Sequence, residues 1–418
     1  MLSAAFSKLI LPLINVKTKK IKRYNEPNNN IKVHTMNERK LLMIPGPTNV
    51  DPAVLRVLSK PTLSHTDPDF VKIFKEALND LKKVFMTNSE VFVIGGSGTL
   101  ALEMAIANLI EPNDKVLNIV TGFFGEYFVK ISKTHGAIPK VLEAPWGKSI
   151  KPEEVKDALK EGDYKAVTVT HVETSTGVVN PIKEIGEIVK EHSDAFYIVD
   201  AVCSLGGVEV RVDDWNIDIC ASGSQKCIGV PPGLALLSVS HRALKFLDER
   251  KSPVNFWYGG LRNWLPVMQD PSQYFATPPV NMIYALSEAL KILLNEGLED
   301  RFRRHHVLAE AFRASVDALN LKLVADREYA ADTVTAVYYP SNVEDIAFRS
   351  EMKKRGIVVA STLGPLKGKG FRVGHMGNIS QNDIMSTIGA IEATLRHLGY
   401  KFNYGAGLKA AQEKILSL

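Results

Sequence analysis

Three short segments hold residues whose types and spacing could do chemistry. In Ser222-Gly223-Ser224-Gln225-Lys226 a lysine follows a β-rich run, and the chain continues to Pro231-Pro232-Gly233. Lysines ordinarily snorkel at surfaces. An apolar, turn-rich setting favours a neutral, nucleophilic amine suited to Schiff-base chemistry. In Tyr197-Ile198-Val199-Asp200 an apolar run ends in a carboxylate. Such a group is costly to bury unless a cation or hydrogen bonds meet it, and one use for it is to hold a protonated heteroaromatic nitrogen. Gly95-Gly96-Ser97-Gly98-Thr99 lies between a strand pattern and a helix pattern. Its glycines permit close backbone approach, and the N–H groups and dipole of the following helix attract a phosphate. Ser97 and Thr99 add hydroxyl donors. Alone, each segment has a plain reading: an ordinary lysine, a salt bridge or helix cap, a strand-to-helix turn. Together they offer a phosphate cradle, a strand-end aspartate and a strand-end lysine 26 positions later. Pyridoxal phosphate needs this set: the aspartate keeps the pyridinium protonated and the lysine forms the Schiff base.

The elements that must position these residues alternate. Strand patterns at Val91–Ile94, Lys115–Val120, Ala166–Thr170, Phe196–Val199, Ile217–Ala221 and Leu234–Val239 are interleaved with helical patterns at Pro68–Val84, Leu100–Leu109, Glu126–Thr134, Pro152–Leu159 and Lys183–Glu191. That predicts an α/β fold whose large domain has a mainly parallel sheet sandwiched by helices. Ligands on such sheets sit at the carboxyl ends of strands, where Asp200 and Lys226 fall. Residues 240–280 show no clean period. A long helix is expected over Met282–Leu319, then a strand (Thr333–Tyr339), a helix (Val343–Arg355), short strands near Ile357–Ala360 and Phe371–Val373, and a closing helix (Gln381–Leu398). These form a smaller C-terminal α+β domain. The expected division is a basic, disordered tail over 1–35, an N-terminal arm over 36–60, a large domain over 61–290 and a small one over 291–418.

The 418 residues carry a net charge of +5. Seven basic residues against Glu26 put the excess in residues 1–35, so the body is near neutral and carries no nucleic-acid footprint. The tail suits an organellar presequence, an upstream extension or a functional arm. Its apolar run Leu9–Ile14 is short and broken by Pro12, and no stretch is long enough to span a membrane. Cys203, Cys220 and Cys227 fit neither a disulfide framework nor a zinc site, and no metal is expected. This reads as a reducing setting. The C-terminal Ile-Leu-Ser-Leu is not a peroxisomal signal, and the cytoplasm is the default.

From about Leu41 to Leu398 the chain resembles the class V aminotransferases of pyridoxal-phosphate fold type I, in the alanine–glyoxylate / serine–pyruvate family. The matching stretches are MIPGPTNV, GGSGTLALE, ETSTGVVNP, IVDAVCSLGG, SGSQKCIGVPPG, YFATPPV and FRVGHMG. The resemblance implies roles at these positions. Ser97, Gly98 and Thr99 would form the phosphate loop, with Gln225 a further phosphate ligand. Ser175 would lie beside the cofactor's phenolic oxygen and border the substrate. Asp200 would partner the ring nitrogen, Val202 would pack near the ring, and Lys226 would be the Schiff-base lysine. Phe124 falls where relatives often stack a tryptophan on the ring; phenylalanine still offers a π face. Tyr274 and Thr277 would reach the cofactor phosphate of a neighbouring subunit, which implies a homodimer with shared sites. Arg372 would grip the substrate α-carboxylate through its planar fork. Gly46, Pro47 and Thr48 would enter the substrate pocket. His65, His135 and His171 are weaker acid–base candidates, since Lys226 fills that role.

The implied activity is a ping-pong transfer of an amino group from serine or alanine to glyoxylate or pyruvate. 2-Aminoethylphosphonate–pyruvate and aspartate aminotransferases are alternatives, because the pocket beyond the α-carboxylate is not readable. A cysteine desulfurase shares the fold but needs a mobile cysteine in the C-terminal half, and no cysteine follows Cys227.

Overall fold

The computed structural model describes residues 40–417. The tail over 1–35 and the first residues of the arm lie outside the described residues.

The apolar runs form a seven-stranded sheet in the order Glu90–Gly95, Leu234–Val239, Ile219–Gly223, Phe196–Asp200, Ala166–Thr170, Lys115–Val120, Ile138–Glu143. Leu234–Val239 runs antiparallel to both its neighbours. The remaining pairs are parallel. Four of the five inner strands are buried along their whole length and Lys115–Val120 is buried beyond its exposed Lys115, as a sheet covered on both faces requires. The edge strand Ile138–Glu143, which the sequence did not suggest, is half exposed and carries a proline and charged residues.

The covering helices show why their sequences fold this way. Pro68–Phe85 starts on Asp67, whose carboxylate accepts from Asp69 N at 2.9 Å. It buries Phe70, Phe74, Ala77, Leu78, Leu81 and Phe85 on one stripe. Gly98–Leu109 is apolar nearly all round and buried, as suits a helix enclosed by the fold.

A second sheet, entirely antiparallel, has the order Lys322–Leu323, Val334–Tyr338, Gly370–Gly374, Ala360–Ser361. It has its own core, which includes Phe312, Phe348, Phe371, Ile384 and Ile388. The chain's first described strand, Leu41–Leu42, pairs in parallel with Ile357–Val358, and Met43 is buried in this second core.

Three expectations are corrected. The stretch expected as one helix over Met282–Leu319 is two, Val280–Glu296 and Leu298–Ala318. Gly297 separates them at φ +85°, which only glycine adopts readily. Gln381–His397 does not close the chain, because Ala406–Ser417 follows and packs on Leu298–Ala318. The aperiodic region holds two short helices, His241–Glu249 and Leu261–Gln269. The first is capped by Ser240 Oγ, which accepts from Ala243 N at 3.0 Å. Among the described residues, no helix is long and apolar enough to cross a membrane.

Candidate active site

Three neighbouring parallel strands end side by side, with Thr170 opposite Asp200 and Asp200 opposite Ala221. Their carboxyl ends release the segments 171–177, 200–202 and 224–226 along one edge.

Asp200 is 3% exposed. Its Oδ1 accepts from Val202 N at 2.8 Å and its Oδ2 from Thr170 Oγ1 at 3.5 Å. Among the described ion pairs none includes it. Burial pushes its carboxyl up from 3.8 to about 7; Val202 N–H and Lys226 oppose the rise, and Glu173 adds to it.

Lys226 is buried, and its Nζ donates to Thr174 Oγ1 at 3.4 Å. The backbone at Lys226 and its neighbours is held from two sides. From the N-terminal arm, Thr48 Oγ1 donates to Lys226 O at 2.8 Å and Thr48 N to Gln225 O at 3.1 Å. Gly46 lies against the side chain, where a β-carbon would stand 2.7 Å from Lys226 Cδ. From the helix Leu298–Ala318, the buried Arg301 donates to Cys227 O (2.7 Å) and Gly206 O (2.8 Å) and pairs with Glu296 at 2.6 Å. Cys227 is a buried free thiol whose pKa burial raises.

The start of helix Gly98–Leu109 approaches this edge closely. A β-carbon at Gly98 would stand 2.6 Å from Val202 Cγ2, and one at Gly223 would stand 2.9 Å from Gln225 Oε1 and 3.0 Å from Gly98 N. Among the described residues the buried Gln225 Oε1 has no hydrogen-bond partner. Ser97 and Thr99 are exposed at the helix start, and Ser97 makes no side-chain cap bond.

On another side stands Phe124, half-buried in contact with Phe123 and Tyr127. Ser175 is fully buried and its Oγ accepts from Phe123 N at 3.1 Å. Arg372, in mid-strand and 7% exposed, donates through Nε to Ser361 O (2.8 Å) and through Nη1 to Thr174 O (3.0 Å). Among the described residues no carboxylate pairs with it. Burial lowers its pKa to about 10, so it stays charged at neutral pH.

Tyr274 and Thr277 are not brought in. Tyr274 is 63% exposed with its ring 5.1 Å from that of His65, and Thr277 is exposed. His135 meets Glu103 at 3.3 Å. His171 is fully enclosed and burial holds its pKa down at about 3, which keeps it neutral.

Glu173 went unread in the sequence. It is fully buried between Ser175 and the Phe124 turn. The available signal was its position, three residues past an apolar strand and between Val172 and Val178.

These residues fit pyridoxal phosphate on their own geometry. Among the described residues a buried carboxylate lacks a cation and a buried amide oxygen lacks a partner, and glycines hold a helix N-terminus open beside an enclosed lysine. What such an edge accommodates is a phosphorylated heteroaromatic aldehyde, and the class it defines is the pyridoxal-phosphate enzymes of fold type I.

Within that class the chain belongs to the class V aminotransferases, whose family profile matches residues 48–368. It is 45% identical over 380 residues to an uncharacterised aminotransferase of Methanocaldococcus jannaschii, covering 90% of this chain and 98% of that one. It is 37% identical to alanine–glyoxylate aminotransferase 1 of Saccharomyces cerevisiae, covering 80% and 91%. Among solved structures, the ureidoglycine–glyoxylate aminotransferase of Bacillus subtilis superposes with a TM-score of 0.86 at 34% identity, covering 92% of this chain and all of that one.

Proposed function

We propose that this aminotransferase moves an amino group from alanine or serine to glyoxylate or pyruvate. One observation carries the reading. Thr174 holds Lys226 Nζ on its hydroxyl and Arg372 Nη1 on its carbonyl, so an amine and a carboxylate-binding fork flank a single residue. A small amino acid presents its α-carboxylate and its Cα–H across such a short span. Glyoxylate figures in the names of the yeast and B. subtilis relatives, which supports it as acceptor.

In this reading Lys226 would hold the cofactor's aldehyde carbon and Asp200 its ring nitrogen. The start of helix Gly98–Leu109, with Ser97, Thr99 and Gln225, would hold the phosphate. Pyridoxal phosphate supplies an electron sink for the charge left when Cα loses its proton. The chain's own groups do the rest. Arg372 fixes the carboxylate through two parallel hydrogen bonds. The Lys226 amine takes the Cα proton as general base and later returns one as general acid. A cationic ring nitrogen would keep the buried Asp200 carboxylate ionised, a partner that none of the described ion pairs supplies. The donor's oxo acid leaves before the acceptor enters at the same fork.

Tyr274 and Thr277 would complete the phosphate site of a second copy, making a homodimer with shared sites. The parts over 61–290 and 291–418 would be its large and small domains, and the cytoplasm its compartment.

The test is the visible spectrum of the cofactor-loaded protein before and after single additions of alanine, serine, aspartate or 2-aminoethylphosphonate. Conversion of the cofactor to its amine form by alanine or serine is expected. Conversion by aspartate or aminoethylphosphonate alone replaces the proposed donor. No cofactor band at all, or a Lys226→Ala protein with near wild-type turnover, removes Lys226 from its role.

A further inference from the structure

Glu173 ends the two-residue strand Val172–Glu173, which pairs with Val178–Val179. Gly177 N closes the intervening turn on Glu173 O at 2.8 Å. The side chain is fully buried, and among the described ion pairs none includes it. A buried carboxylate without a cation persists only where donors saturate it. Here four do. Oε1 accepts from Ser175 N (3.0 Å) and Ser175 Oγ (2.6 Å), and Oε2 accepts from Phe124 N (3.0 Å) and Gly125 N (3.1 Å). The turn lies directly over the side chain: a β-carbon at Gly122 would stand 2.6 Å from both Glu173 Cγ and Ser175 Oγ.

We propose that Glu173 is a positioning residue that locks the Phe124 turn and Ser175 into one rigid wall of the cofactor site, each of its oxygens taken by a pair of donors. This rests on the reading above, in which Phe124 and Ser175 border the cofactor. Only a carboxylate offers two oxygens that accept and never donate. Glutamine must turn its amide N–H groups toward one donor pair, and aspartate is a methylene too short to span both. The bracket also sets what Ser175 offers. Its single proton goes to Glu173 and one lone pair receives Phe123 N–H. What remains toward the site is an acceptor, so a neighbour meets Ser175 as a donor.

The test compares wild type, Glu173→Gln, Gly122→Ala and Ser175→Ala by apo-protein melting, pyridoxal phosphate affinity, circular dichroism of the bound chromophore and steady-state kinetics. Glu173→Gln is expected to fold, to melt some degrees below wild type and to bind the cofactor roughly tenfold or more weakly, since buried donors are left unpaired. Its chromophore dichroism falls. Its kcat drops at saturating cofactor while KM for the amino donor changes little, because Arg372 is untouched. Gly122→Ala, which pushes the turn off the carboxylate without removing it, gives the same two losses in affinity and dichroism. Adding Ser175→Ala to Glu173→Gln costs less than the product of the single effects. Wild-type affinity and dichroism in Gly122→Ala overturn the proposal, even where Glu173→Gln does not fold, and so does full multiplicativity of the double variant. A wild-type protein that binds no cofactor strikes the function itself, a different result from a Glu173→Gln protein that behaves like a competent wild type.

Discussion

Asp200 shows at the scale of one residue how a site trades stability for chemistry. Its carboxyl is enclosed, short of a cation, and raised to about 7 from 3.8. Without cofactor the folded chain keeps a proton that the unfolded chain sheds. The stability tied to Asp200 is therefore complete below about pH 4 and is lost as pH rises to about 7. Asp200→Asn removes that dependence. Calorimetry of the cofactor-free proteins should find the variant's melting temperature flatter than wild type across this window and higher above it. Parallel curves would mean that Asp200 is ionised in the folded protein at low pH. With cofactor the same variant should lose roughly a hundredfold or more in kcat. Arg372→Lys keeps the charge but loses the planar fork, so KM for the amino donor should rise about tenfold. An unchanged KM for every donor removes Arg372 from carboxylate binding. Lys226 and Asp200 stood out in the sequence as candidates because a charged side chain just after an apolar run is conspicuous, and Arg372 was singled out through the family resemblance. Glu173 was not, because a glutamate beside threonines and serines looks like any solvated turn. Its four donors come partly from Phe124 and Gly125, 49 and 48 positions away.

At the scale of elements, the inner strands were readable because burial on both faces makes their sequences continuously apolar. Ile138–Glu143 was hidden because an edge strand exposes one side and tolerates Pro139 and Lys140. The helix break at Gly297 was hidden because residues on both sides continue a helical pattern and one backbone angle makes the difference. The arm segment around Gly46 belongs to this scale too, since its path over Lys226 requires a residue with no side chain. Gly46→Ala adds a β-carbon 2.7 Å from Lys226 Cδ at φ +110°. It should shift the cofactor's absorption and depress kcat strongly. Gly356→Ala is the control: φ is +82° and nothing lies within 4 Å of the added carbon. It should cost only about 1–2 kcal/mol of stability and leave the spectrum alone. Equal spectra in the two variants would mean that the arm does not press on Lys226.

At the scale of the whole molecule, Trp257 and Tyr274 are large aromatics left 72% and 63% exposed, and aromatic surface of this kind marks interfaces. If Tyr274 serves the neighbouring copy, Lys226→Ala and Tyr274→Ala protomers are each defective alone but complement when mixed. One site of each hybrid dimer then has both residues, and random exchange should restore about a quarter of wild-type activity. A mixture no better than its parts sinks the shared site. The strand pairing of Leu41–Leu42 with Ile357–Val358, and the bond from Gly374 N to Met43 O at 3.0 Å, bears on the order of events during synthesis. The beginning of the described chain lays Gly46 on Lys226, but its anchor at Ile357–Val358 and Gly374 is translated long after it, and such a long loop closes slowly. Nascent chains stalled on the ribosome before that anchor emerges should retain no cofactor, whereas a complete chain held by a long C-terminal tether should retain it. Cofactor capture would then wait for the arm's anchor to leave the ribosome, and a chain cut short of Gly374 would have no means of laying Gly46 on Lys226.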